Sequence, residues 1–96
     1  MTKTFIQSEN VVERKVRDKL ILVPLKTGPA RLDAIYTLNE TAACLWQQLR
    51  TVQTEDTLVS RLADQFTVTE TIARADVRQF LNRLLAISAV KVTEQE

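Results

Sequence analysis

Residues 32–46, LDAIYTLNETAACLW, change period in the middle. Leu32, Ala34, Tyr36 and Leu38 share one parity of an alternating run, as in a half-buried strand. Beyond Asn39 the apolar residues Ala42, Leu45, Trp46 and Leu49 recur at helical spacing. No Gly or Pro separates the two patterns. The strand must therefore pass straight into the helix, and Asn39 supplies the means. Its side-chain oxygen can accept from the first unpaired N–H groups of a helix while its backbone stays extended.

Upstream of this junction the chain reads as strands. VVERKV (11–16) places Val12, Arg14 and Val16 on one parity and Val11, Glu13 and Lys15 on the other. A polar turn at 17–19 leads to LILVPL (20–25), an apolar, β-branched run too short for a helix. Pro24 cannot donate to a ladder, which places it at an edge or a strand end. The single Gly stands beside a Pro in KTGPAR (26–31), a strong turn signal before the strand at 32–38. Three short strands with short connections predict an antiparallel meander.

Downstream it reads as helices. The first covers about 40–50. Thr54 caps a second, with Glu55 and Asp56 suited to its positive start and Leu58, Val59, Leu62 and Phe66 as its buried stripe. Thr69 caps a third over about 70–88, with Val68 and Ala73 at staple positions and an apolar face of Ala73, Val77, Phe80, Leu81, Leu84 and Leu85. Residues 1–10 are polar apart from Phe5 and Ile6 and read as a flexible arm. AVKV (89–92) reads as a short extra strand or an extended end, and 93–96 as a tail. The expectation is one α+β domain over 11–92, with an N-terminal three-stranded antiparallel sheet followed by three helices.

Composition removes several kinds of chemistry. The chain has 96 residues, one cysteine (Cys44) and no histidine. It can form neither an intrachain disulfide nor a Cys/His zinc site by itself, and it lacks the histidine of Ser-His-Asp and Cys-His nucleophile systems. One Gly cannot build a phosphate-cradling loop. The carboxylates Glu40, Glu55, Asp56, Asp64, Glu70 and Asp76 are scattered over helix starts and exposed phases, as solvated surface. No catalytic residues, metal ligands or cofactor are expected, and the chain reads as no enzyme. No apolar run approaches a membrane span and no signal peptide is visible. A lone cysteine suits the cytoplasm. Net charge is +1, which gives little long-range attraction for nucleic acid. A winged-helix DNA-binding protein is thus the weaker reading, although Arg74, Arg78 and Arg83 lie on the third helix.

What remains is an edge. A meander has two, and if 32–38 is one, its free N–H and C=O groups can receive a guest strand. Arg74 and Arg78, one turn apart, flank the apolar arc of the third helix and could border a groove beside that edge. Trp46 falls in the first helix's apolar stripe and reads as core, its indole N–H needing a partner. An open edge also allows a homodimer through strand pairing.

IYTLNETAACLW, then RLADQF, then ARADVRQFLNRLL, together with LILVPLKTGPARLDAIY upstream, resemble the PqqD-like family of small peptide chaperones, also called RiPP recognition elements. The matching positions are Leu38, Asn39, Leu45, Trp46, Phe66, Asp76, Val77, Phe80, Leu81 and Leu84. The resemblance implies a winged helix-turn-helix-like domain. It also implies a function, which is binding the leader of a ribosomally made precursor peptide and presenting it to a modifying enzyme, often a radical SAM enzyme. A docking subunit without a peptide ligand of its own is the alternative within that setting. Carried over by position, the strand wall of the leader site is Leu32, Asp33, Ala34, Ile35 and Tyr36. The helix wall is Arg74, Val77, Arg78, Leu81 and Leu85. The chain departs from the family pattern at Ala42, at Arg50-Thr51 and at Ser88, where the family usually has Gly, Asp-Gly and Gly.

Overall fold

The computed structural model describes residues 2–25 and 35–95. In chain order these form β1 (Thr2–Gln7), β2 (Val11–Val16), β3 (Lys19–Pro24), β4 (Tyr36–Leu38), α1 (Glu40–Gln48), β5 (Gln53–Thr54), α2 (Glu55–Phe66), α3 (Glu70–Ala86) and β6 (Val90–Gln95). They build two antiparallel sheets, β2-β3-β4 and β5-β1-β6, around three helices. The α+β expectation holds.

The first sheet is the expected meander. β2 and β3 pair from Val16↔Lys19 to Val11↔Pro24, so the connecting turn is Arg17-Asp18, with Arg17 in the left-handed region at φ 58°. Pro24 is the last residue of β3, where its missing N–H costs the ladder least. β3 pairs with β4 through Leu20↔Leu38, Ile21↔Thr37 and Leu22↔Tyr36. Opposed residues of an antiparallel pair share a face. Leu20, Leu22, Tyr36 and Leu38 therefore face the helices, and Glu13, opposite Leu22, joins that side.

The handover at Asn39 follows the sequence argument. Its backbone is extended, and its Oδ1 accepts from Ala42 N at 2.8 Å. Thr54 and Thr69 cap α2 and α3 in the same way, accepting from Thr57 N and Ile72 N. The helices close over the sheet with Leu45, Trp46, Leu49, Leu58, Val59, Leu62, Val77 and Leu84 fully buried around Leu22. Trp46 is 2% exposed, and its indole N–H donates to Glu13 Oε1 at 2.6 Å, fastening α1 to β2.

The chain's ends correct the sequence reading. Residues 2–7, expected in a flexible arm, form the central strand of the second sheet. Residues 93–95, expected in a tail, belong to β6. The two strands pair along their whole length, from Thr2↔Gln95 to Gln7↔Val90. Phe5 is buried, Gln7 N donates to Leu49 O, and Gln7 Nε2 donates to Trp46 O, so β1 also satisfies carbonyls at the end of α1. The physical reason is non-locality: each terminal strand is polar alone and becomes a strand only against the other.

The end of α3 is closed by Ser88, in the left-handed region at φ 58°. Ala89 N donates to Leu84 O at 2.7 Å and Ser88 N to Leu85 O at 3.1 Å, the paired bonds of a Schellman cap. Ser8 Oγ and Asn10 Nδ2 both donate to Ser88 O, tying this cap to the β1–β2 connection. Thr67 takes the corresponding left-handed position after α2, at φ 53°.

Candidate functional site

β4 is an edge: among the described residues it pairs only with β3. Beside it runs a groove with a cavity of about 290 Å³, lined by Tyr36 and Asn39, by Thr41, Ala42 and Leu45 of α1, and by Asp76, Gln79, Phe80 and Arg83 of α3. Tyr36 packs on Phe80, with ring centroids 6.2 Å apart and planes tilted by 47°. The guanidinium of Arg83 lies over the Tyr36 ring, 5.8 Å from its centroid. The floor is thus aromatic, while Asp76, Gln79 and Arg83 stand exposed along one wall.

The expected site residues do not all meet here. Tyr36 lines the groove, and Ile35, 40% exposed, precedes β4. Leu32, Asp33 and Ala34 lie outside the described residues. The expected helix wall is placed elsewhere. Val77 and Leu81 are buried in the core. Arg74 and Arg78 lie on the flank of α3 that meets α2. Arg74 bonds Glu55 at 2.7 Å, Asp56 at 3.1 Å and Glu70 at 3.2 Å, and Arg78 bonds Glu55 at 3.1 Å. These acids hold the Arg74 guanidinium above its ordinary pKa, Glu70 contributing most, then Asp56 and Glu55. Leu85, 42% exposed, borders a different hollow with Lys3, Phe5, Arg78, Leu81 and Val92.

Helical geometry explains the difference. Positions 74 and 83 are nine residues apart, which at 3.6 residues per turn is about half a turn around the axis. Both flanks of the apolar arc carry charge, so phase alone could not say which one faces β4. The signal that could have done so is Phe80. An aromatic at the edge of the arc, with Asp76 and Arg83 on its side, fits the partner of a half-buried Tyr36 better than the arginine pair does.

Among the described residues, no group of three or more His, Cys, Asp or Glu is placed to hold a metal ion. Cys44 Sγ lies 3.1 Å from Gln65 Oε1 and accepts from Gln48 Nε2, away from the groove lining. Among the same residues, no helix is long and apolar enough to cross a membrane.

The family model described as "Coenzyme PQQ synthesis protein D (PqqD)" matches residues 19–90. The chain belongs to the PqqD family. That match begins at β3 and ends at the first residue of β6, so it contains the β4 edge and all of α3. A solved structure described as TbiB1 in complex with the TbiA(beta) leader peptide shares the fold of this PqqD-family chain. The TM-score is 0.73 at 20% identity, over 95% of this chain and 99% of that one. A search of curated proteins finds no match.

Proposed function

We propose that this PqqD-family chain is a peptide-binding protein that receives the leader segment of a ribosomally made precursor as an added strand on β4. The observation that carries this reading is the combination of an edge strand and an aromatic-floored groove between β4 and α3. Main-chain N–H and C=O groups of the edge give sequence-tolerant affinity, and alternate guest side chains on the Tyr36–Leu38 face enter the groove and give selectivity. Family membership and the shared fold with a leader-bound protein support it.

In this reading the chain performs no catalysis itself. It works in the cytoplasm, where precursors are made, and hands the bound leader to a modifying enzyme, of the radical SAM class in the nearest family setting. Among the described residues the strand wall in this reading is Ile35 with β4, and the helix wall is Asp76, Gln79, Phe80 and Arg83 in place of Arg74, Val77, Arg78, Leu81 and Leu85.

The test is amide NMR of the labelled chain, titrated with synthetic leaders of the short precursor frames that neighbour its gene. Shifts are expected at Tyr36–Leu38 and around Asp76, Gln79, Phe80 and Arg83, with Arg74 and Arg78 unmoved. Shifts confined to β6 or to the α2–α3 flank would overturn the reading.

A further inference from the structure

The groove wall on α3 is electrically polar along its length. Asp76 stands one turn before Phe80, and Arg83 about one turn after it. Both are exposed and both line the groove. The opposite flank of α3 differs: Arg74 and Arg78 are engaged with Glu55, Asp56 and Glu70. Among the described residues neither Asp76 nor Arg83 takes part in an ion pair. Arg83 is moreover held over Tyr36, so its charge is fixed at the β4 side of the helix.

The spacing suits an extended peptide. Seven helical positions separate Asp76 from Arg83, a rise of roughly 10 Å. A strand advances about 3.3 Å per residue and turns every second side chain to the same face. Its groove-facing residues therefore fall at intervals of roughly 7 Å, and three consecutive ones span roughly 13 Å. Long charged side chains on the outer two absorb the difference, while the middle one rests on Phe80 and Tyr36.

Resting on the strand-addition reading above, we propose that the groove selects guest peptides by charge polarity. The guest carries a basic residue at the Asp76 end, an apolar residue over Phe80 and an acidic residue at the Arg83 end, each separated by one outward-facing residue. Asp76 and Arg83 thereby set which segments bind and in which direction they lie.

The experiment is selection of a displayed library of randomised extended peptides on the wild-type chain and on the double variant Asp76→Lys/Arg83→Glu. Both changes are at exposed positions, and a cooperative melt with wild-type-like amide dispersion verifies the variant's fold before selection, allowing for the lost Arg83–Tyr36 contact. The wild-type chain is expected to enrich peptides with opposite charges flanking an apolar residue at alternate positions, in one order. The variant is expected to enrich the reverse order. Each wild-type winner should lose roughly tenfold in affinity for the variant, the effect of two opposed contacts becoming like-charged. Winners whose charges do not follow the variant, but which still shift the β4 amides, would overturn the polarity rule and leave strand addition standing. No enrichment on either chain would remove both.

Discussion

Arg74 donates to Glu55 at 2.7 Å across the α2–α3 contact, and Arg78 reaches the same carboxylate at 3.1 Å. One acid at the start of α2 thus gathers two arginines from one flank of α3. Arg78→Glu is consequently expected to leave peptide binding at β4 within twofold of wild type, since the residue faces away from that groove. Its own ion pair is largely exposed and contributes about 1 kcal/mol or less. The reversed charge, placed beside Glu55, should lower stability by a similar amount. Isothermal titration with a groove-binding peptide, beside a urea melt, separates the two effects. A large affinity loss at unchanged stability would return Arg78 to the binding site.

Leu81→Ala tests the same placement from the core side. Leu81 is 3% exposed, so truncation should cost about 2–5 kcal/mol in a denaturant melt. Peptide affinity, measured at a temperature where the variant is folded, should change little. The reverse pattern, a small stability loss with a large affinity loss, would mean that Leu81 lines a guest's path.

The two arginines show where the sequence was legible and where it was not. Local chemistry was readable: Asn39, Thr54 and Thr69 each cap the helix that their side chains announced, and Trp46 sits in the core with a partner for its N–H. β2 follows from alternation, and β3 from a short β-branched apolar run, each set off by turn signals. Relations between distant elements were not readable. The flank of α3 that meets β4 depends on how the helices cross, and the pairing of Phe5 with Val92 joins the two ends of the chain. The sequence therefore pointed to an edge beside α3, while the flank of α3 that lines the groove next to β4 carries Asp76, Gln79, Phe80 and Arg83 and not the arginine pair.

Ser88 and Thr67 hold left-handed backbone, at φ 58° and 53°, that a side chain bearing Cβ disfavours. At Ser88 the Schellman bonds require that conformation, and Gly adopts it without the Cβ clash. Ser88→Gly should raise stability by about 0.5–1 kcal/mol, because Ser8 Oγ and Asn10 Nδ2 donate to the backbone carbonyl of residue 88, an acceptor that Gly retains. Thr67, being β-branched, should gain at least as much on conversion to Gly. Differential scanning calorimetry of the two single variants reads this directly. A fall in midpoint for Ser88→Gly would show that the serine side chain contributes an interaction outweighing the backbone relief.

Glu13 accepts from a nearly fully buried indole N–H at 2.6 Å, with Arg50 3.6 Å from its other oxygen. Glu13→Ala leaves the Trp46 donor without this acceptor in the core, a loss of about 1–3 kcal/mol. Glu13→Gln keeps an oxygen in place and should retain most of the stability. Trp46 is the chain's only tryptophan, so its emission reports its own surroundings in the same urea titration. Equal losses for the two variants would mean that the charge toward Arg50, and not the indole bond, is what Glu13 contributes.

Removal of residues 2–7 is the sharpest test of the second sheet. β1 is its central strand, so deletion unpairs β5 and β6 together. It also takes Phe5 from the core and withdraws the donors that Gln7 gives to Leu49 O and Trp46 O. A buried aromatic alone is worth about 3–5 kcal/mol on truncation, a large share of a small domain's stability. The shortened chain should lose its cooperative unfolding transition, and amides of β6 should exchange with solvent as fast as those of an unpaired strand. A dispensable arm would leave both the transition and the β6 amides unchanged. Because β4 lies in the other sheet, a truncated chain that stayed folded should also keep its peptide groove, and binding measured on it would separate the two sheets' roles.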